Sequence, residues 1–217
     1  MNETGDPSLP STAPAYWEQR YQDNPRPWTG RPNAILARWV EPLTPGSALD
    51  LGCSEGNSAV WLAGQGWQVT GVDISATALK RAAQHAEGAG VSARTHFEQH
   101  DLEVSFPAGQ FDLVYALYLQ SPVAFPRDAV LRRAAAAVRP GGLLLVIEHA
   151  SAPSWVKEPN IQYPTAQEAL GTLGLNLDGW DLAYLGSPER AVTEMSSPDG
   201  QGGTIKDNII ALRRRGP

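Results

Sequence analysis

Ala48-Leu49-Asp50-Leu51-Gly52-Cys53-Ser54-Glu55-Gly56, closed by Val69-Thr70-Gly71-Val72-Asp73, decides the fold. The first half reads as a buried strand that runs into a turn of small residues. Asn57 to Gly64 then sets Ala59, Val60, Leu62 and Ala63 on one apolar face, which predicts a helix ending near Gly64 or Gly66. Gln68 to Val72 is a second strand, and Asp73 puts a carboxylate at its end. A turn between a buried strand and a helix brings bare backbone close to a ligand. Only small residues permit that approach, which accounts for Gly52, Ser54 and Gly56.

The rest of the chain extends this unit in both directions. Residues 1–13 are small, polar and Pro-containing and are expected to form a flexible tail. Ala15 to Arg20 reads as a short helix, Asp23 to Pro32 as a loop, and Asn33 to Val40 as a helix with Ile35, Leu36, Trp39 and Val40 on one face. Residues 14–46 are therefore expected to cap a domain at 47–217. Ser75 to Glu87 is a helix with Ser75 as N-cap. Arg94 to Glu98 is a short strand, and Phe111 to Leu117 is a strand apolar almost throughout after Asp112, as one covered on both faces should be. Pro126 to Val138 is a helix ended by Pro140-Gly141-Gly142, and Leu143 to Glu148 is a fifth strand. Tyr163 to Leu173 is a further helix. Trp180 to Leu185 and Thr204 to Leu212 are two last strands, joined by a long polar connection at Gly186 to Gly203. Strands alternating with helices predict an α/β fold with a mostly parallel sheet covered on both faces. No internal repeat and no second core is visible.

The chain has 217 residues and 23.3 kDa, of which 42% are hydrophobic, enough for one domain with a sizeable core. Its formal net charge of -6 argues against nucleic acid or an anionic membrane as the main partner. A single cysteine excludes an internal disulfide framework and a multi-cysteine metal site, and fits a reducing, cytoplasmic setting. No apolar run approaches the roughly 18 residues of a membrane span. Met1 to Ala13 lacks the basic-then-apolar order of a signal peptide.

The carboxylates narrow the ligand. Asp50, at the end of the first strand, is poorly placed for a pyrophosphate and well placed for an ammonium group. Asp73, 23 residues on, can accept hydrogen bonds from ribose hydroxyls. Together they favour a ligand with adenosine and a cationic amino acid over one with two phosphates. Two rivals read the same turn differently. Gly52-Cys53-Ser54-Glu55-Gly56 matches the hydrolase elbow G-x-S-x-G literally, with His149 and either Asp101 or Asp112 as triad partners. That elbow typically follows a mid-sheet strand, whereas this turn follows the first. A nicotinamide site would want glycines where Ser54 and Asn57 stand.

With those residues in place, the chain resembles the class I S-adenosylmethionine-dependent methyltransferases, most closely the small branch akin to tellurite-resistance and thiopurine methyltransferases. The likeness runs from about Tyr16 to Arg214. It rests on Asp50 to Gly56, Trp61-Leu62-Ala63, Gly66-Trp67 and Gly71 to Ser75, and then on His100-Asp101-Leu102, Phe111 to Val114 and Arg139-Pro140-Gly141-Gly142. Ser54 stands where the motif usually has its middle glycine. The resemblance implies a three-layer Rossmann-like methyltransferase fold whose mostly parallel, seven-stranded sheet ends in an antiparallel strand. It implies that Gly52 and Gly56, with Cys53 and Ser54, pack under the methionine part. Asp73 would bind the ribose, Ile74 and Ser75 would flank the adenine, and Asp101 with Leu102 would meet its amino group. Ala116 would border the site from strand four. An amino-terminal signature, Tyr16-Trp17, Arg20-Tyr21, Trp28 and Asn33, implies a segment folded over the cofactor, so Trp17, Tyr21 and Trp28 join the expected binding residues.

Methyl transfer from a sulfonium is a direct displacement and needs alignment in a dry surround more than reactive side chains. A base is needed only if the nucleophile arrives protonated. Candidates are His149 and Glu148, at the end of strand five, and Tyr118, just past strand four. Trp17, Trp28, Tyr118, Trp155 and Tyr163 are candidates for the wall of an apolar or planar substrate pocket. No metal is expected, because Glu148-His149 has no spaced partner. The expectation is therefore methyl transfer to a small-molecule O, N or S nucleophile by a monomer or homodimer. The alternative is a protein that binds the cofactor without transferring methyl.

Overall fold

In chain order, the strands alternate with helices along most of the chain. The computed structural model describes residues 12–24, 31–157, 162–192 and 202–216. Its elements are α1 (Ala13–Asp23), α2 (Ala34–Val40), β1 (Ser47–Leu51), α3 (Asn57–Gly64), β2 (Gln68–Asp73), α4 (Ala76–Gly88), β3 (Thr95–Gln99) and β4 (Phe111–Leu117). They continue with α5 (Arg127–Ala136), β5 (Val138–His149), α6 (Ala166–Thr172), β6 (Trp180–Gly186), β7 (Glu189–Val192) and β8 (Gly203–Arg214). Residues 1–11 of the expected tail, most of the loop that holds Trp28, and the middle of the Gly186–Gly203 connection lie outside the described residues.

The sheet order is β3-β2-β1-β4-β5-β8-β6. β8 runs antiparallel to both β5 and β6, and the other pairs on this path are parallel. This is the mostly parallel, three-layer α/β sheet expected, with its antiparallel strand next to the edge. Period-two alternation builds two cores. Leu49, Leu51, Val114, Leu144, Val146, Ile210 and Leu212 face α5 and α6. Ala48, Leu113, Tyr115, Leu145, Ile147, Ile209 and Ala211 face α2 and α3.

Three features differ from expectation. α5 stops at Ala136, and β5 begins at Val138, with Arg139 to Gly142 inserted as an irregularity between two paired stretches of β4 and β5. Gly141 takes a left-handed φ of 81° there, so the Pro-Gly-Gly segment bends the strand instead of ending the helix. The long polar connection also contains a strand. β7 pairs antiparallel with the start of β8, Arg190 opposite Ile205. Finally, Asp112 accepts hydrogen bonds from the Ser47 backbone N–H (2.7 Å) and hydroxyl (3.0 Å) and pairs with Arg139. It ties the starts of β1 and β4 at the end of the sheet opposite the site, which removes it from any triad with His149.

In the strand order, β1 leads to β2 on one side and to β4 on the other. A crevice opens at such a switch point, beyond the carboxyl ends of the strands. Gly52, Asp73, Tyr118 and His149 stand at the ends of β1, β2, β4 and β5, so topology alone gathers them.

Candidate active site

The turn after β1 is held in a shape few sequences allow. Gly52, Ser54 and Gly56 all take left-handed φ, at 69°, 56° and 81°. Ser54 adopts this at a cost of about 1 kcal/mol, because its Cβ crowds the backbone. Its amide offsets that cost by donating to Asp73 Oδ2 at 2.9 Å, while the Ser75 amide donates to Oδ1 at 3.0 Å. Asp73 is thus fixed by backbone amides, Ile74 adding to those of Ser54 and Ser75. Burial raises its pKa, and these amide bonds lower it in part. Asp50 is buried beneath, opposite Tyr115 in the β1–β4 register. Burial, and with it the charge of Asp73, pushes its carboxyl up to about 7. No ion pair reaches it among the described residues, so it is a carboxylate suited to an incoming cation.

A cleft of about 340 Å³ lies over this turn. Gly52, Ser54, Asp73, Ile74 and Leu102 line one part of it, Leu117, Tyr118, Leu119, Phe125 and His149 another, and Trp17 and Tyr21 come from α1. Three side chains, those of Trp17, Glu18 and Arg81, fasten α1 there. The Trp17 indole N–H donates to Ser121 Oγ at 3.3 Å, and Glu18 accepts from Ser75 Oγ at 2.7 Å and from Thr77 N at 3.3 Å. Arg81 donates to the Tyr21 carbonyl at 2.8 Å and pairs with buried Glu55 of the turn at 2.7 Å.

Other expected residues sit elsewhere. Cys53 and Ala116 are buried and face the core, and Gly56 caps α3 against Ala82. Ser75 is the buried N-cap of α4, its hydroxyl accepting from Ala78 N. The Asp101 carboxylate caps its own turn through Glu103 N at 3.0 Å, while the neighbouring His100 lines the cleft. Trp155 packs against Gly203, and neither it nor Tyr163 lines the cleft. Trp28 lies outside the described residues.

Glu148 does not face the cleft either. β5 and β8 pair Glu148 with Asn208 and His149 with Asp207, and successive side chains on a strand point to opposite faces. Glu148 turns toward α5, where Arg127 and Asn208 (3.1 Å) occupy its oxygens. His149 turns to the cleft side, with Nδ1 3.2 Å from Asp207 Oδ1. Tyr118 donates to Asp207 Oδ2 at 3.0 Å, and Arg190 of β7 binds the same oxygen and reaches the Tyr118 hydroxyl at 3.2 Å. The Tyr118 and His149 rings stack at 4.3 Å, a placement that uses a left-handed φ of 53° at Tyr118. Asp207 and Arg190 were missed from the sequence. The signal present was Asp207-Asn208, two polar residues directly ahead of the apolar run Ile209 to Leu212. In contrast to the hydrolase reading, Ser54 serves Asp73 while His149 pairs with Asp207.

The fold is the one found in solved S-adenosylmethionine-dependent methyltransferases. Residues 48–142 match the model of a methyltransferase domain. The chain is 38% identical over 117 residues to 27-O-demethylrifamycin SV methyltransferase of Amycolatopsis mediterranei, covering 52% of this chain and 42% of that one. It is 40% identical over 104 residues to a ubiquinone biosynthesis O-methyltransferase of Methylobacterium, covering 48% and 41%. It thus spans about two fifths of the length of these curated relatives. TehB from Haemophilus influenzae superposes with a TM-score of 0.69 at 15% identity, over 92% of this chain and 66% of that one. Structures bound to S-adenosylmethionine or S-adenosylhomocysteine share the same fold. Among the described residues no helix is long and apolar enough to cross a membrane, and no group of three or more His, Cys, Asp or Glu could hold a metal ion.

Proposed function

We propose that the chain transfers a methyl group from S-adenosylmethionine to a small-molecule acceptor, as a cytoplasmic enzyme of the branch that includes TehB. The observation that carries this reading is the cradle at the ends of β1 and β2. Asp73 is held at the rim of the cleft by backbone amides, and Asp50 lies beneath with no ion pair among the described residues. A nucleoside diol fits the first, and the ammonium of an amino-acid tail fits the second, directly or through water. Gly52 leaves the backbone bare between them. The cofactor, when bound, supplies an electrophilic methyl on a sulfonium.

The chain's own residues do the rest. Residues 14–46 act as the cap, with α1 covering the cleft and excluding water through Trp17 and Tyr21. Tyr118, His149 and Phe125 bound the space left for the acceptor. Matches to two O-methylating relatives favour oxygen as the acceptor atom. A pair such as His149–Asp207 favours transfer over mere binding, since a binding protein needs no base beside its ligand.

Calorimetry on folded, ligand-free protein with S-adenosylmethionine and S-adenosylhomocysteine tests the reading. Both should bind, and Asp73→Asn should weaken both about 10- to 100-fold, the worth of hydrogen bonds to a charged acceptor. Absence of binding by the wild type would overturn the assignment.

A further inference from the structure

Building on the methyl-transfer reading, we infer that Asp207 is the positioning residue that makes His149 a general base, and that the group His149 deprotonates is a neutral hydroxyl of the acceptor. The β5–β8 register sets the two residues directly across from each other. Asp207 is fully buried. Burial pushes its pKa up, but hydrogen bonds from His149 and Arg190, the Arg190 charge and the Tyr118 hydroxyl outweigh it and hold the carboxyl low. An ionised carboxylate only accepts hydrogen bonds. The proton on a neutral His149 must therefore sit on Nδ1, which leaves the Nε2 lone pair free. Stacking on Tyr118 restrains the ring, and the ring borders the cleft.

The groups that face His149 come from three places: Asp207 on β8, Arg190 on β7, and Tyr118 after β4. Arg190 and Tyr118 both bind Oδ2 and leave Oδ1 to the imidazole. Tyr118 is not the base. Its hydroxyl already donates to Asp207, and burial, then the Asp207 charge, raises its pKa. β7 matters because it carries Arg190, which turns the carboxylate toward the ring.

A held base is useful for a nucleophile that arrives protonated, and of these a neutral hydroxyl adds no second cation beside Arg190 and the sulfonium. A carboxylate is already ionised near neutrality, and a thiol partly so, whereas a phenol of pKa about 10 keeps its proton. In the step, the proton leaves the acceptor O–H for His149 Nε2. The oxygen electron pair forms the O–CH3 bond, the methyl–sulfur bond breaks with its pair staying on sulfur, and the imidazolium, stabilised by Asp207, later yields the proton to water.

Nitrogen-15 correlation spectra of the full chain, with His149 assigned through His149→Gln, read the tautomer directly. The wild type should show the Nδ1–H form, and Asp207→Asn should shift His149 toward Nε2–H while S-adenosylmethionine affinity stays within about twofold. An Nε2–H ring in the wild type overturns the proposal, and that spectrum decides even if Asp207→Asn does not fold. Release of S-adenosylhomocysteine with 4-methylphenol and with the more acidic 4-nitrophenol tests the hydroxyl assignment. His149→Gln should slow the first about a hundredfold and the second far less. Equal slowing, or a wild type that binds cofactor and methylates neither phenol, refutes it. A wild type that binds no cofactor refutes the methyl-transfer reading itself, a result distinct from the wrong tautomer.

Discussion

Replacing Glu18 with Gln should loosen the helix that covers the cleft. The Glu18 carboxylate sits against the amino-terminal turn of α4, where it accepts from Ser75 Oγ, Thr77 N and Thr77 Oγ1. The positive end of the helix dipole adds to these bonds. The Thr77 hydroxyl contributes most, and together the contacts, against a smaller opposing effect of burial, lower the Glu18 pKa from 4.5 to about 2. Such a displacement is at most roughly 3 kcal/mol of preference for the ionised form. Glu18 is only partly buried, so solvent screening reduces this to about 1 kcal/mol. That is roughly fivefold in the equilibrium between docked and released α1. Because the folded pKa is depressed, the stabilisation is complete above about pH 5 and drains away as pH falls toward about 2. Hydrogen exchange followed by mass spectrometry, corrected for intrinsic rates, should show α1 amides about fivefold less protected in E18Q at neutral pH, with β4 and β5 unchanged. The difference should shrink between about pH 5 and pH 3. Equal protection of α1 in the two proteins, or a difference that persists unchanged down to about pH 3, would show that the carboxylate is not what fastens the cap.

Asp50 gives cofactor binding a pH dependence of the opposite kind. Its raised pKa of about 7 costs the free protein stability as pH climbs from 3.8 toward 7, and an arriving ammonium favours the ionised form. Affinity for S-adenosylmethionine should therefore rise up to about tenfold between pH 6 and pH 8, with proton release in calorimetry, and Asp50→Asn should flatten the curve. A wild-type curve already flat would remove Asp50 from the site. Arg127→Ala should cost about 3–5 kcal/mol in urea unfolding, because Glu148 would be left buried without its cation. Replacing both residues with Met and Leu should recover most of that loss, and a single-variant cost below about 1 kcal/mol would mean that Glu148 reaches water or protonates.

How much of this was legible in the sequence depended on whether a residue acts through its neighbours in the chain or across the sheet. Asp50, the small-residue turn and Asp73 lie within one strand-turn-helix-strand unit, so spacing alone places them together. The same locality located β1, α3, β4 and the Ser75 cap. Glu148 and His149, adjacent at the end of strand five, both stood as candidate bases, and only the β5–β8 register reveals that they face opposite layers. β7 was hidden because four residues, Glu189–Val192, are too short for a periodic signal and draw their pairing from β8. The Pro140-Gly141-Gly142 segment was read as a helix stop because Gly and Pro are local punctuation, yet here it is an irregularity within a strand. Glu18 and Arg81 were invisible for a similar reason, since each works on a partner far away in the sequence.

The boundary of the family match follows the same division. Residues 48–142 span β1 to β4 and hold Asp50, Gly52, Ser54 and Asp73, the groups proposed to meet the cofactor. His149, Arg190 and Asp207 fall beyond it, on β5, β7 and β8, and Trp17 and Tyr21 fall before it. A cofactor common to many enzymes constrains the first set through one fixed chemical shape. Acceptors differ between enzymes, so the residues proposed to meet them need share less of a pattern, and of these only Tyr118 and Phe125 lie inside the matched stretch. The antiparallel β8 makes this separation workable. It sets Asp207 opposite the last residue of β5 without altering the ends of β1 and β2, so the side proposed for the acceptor can change its chemistry while the side proposed for the cofactor keeps its own.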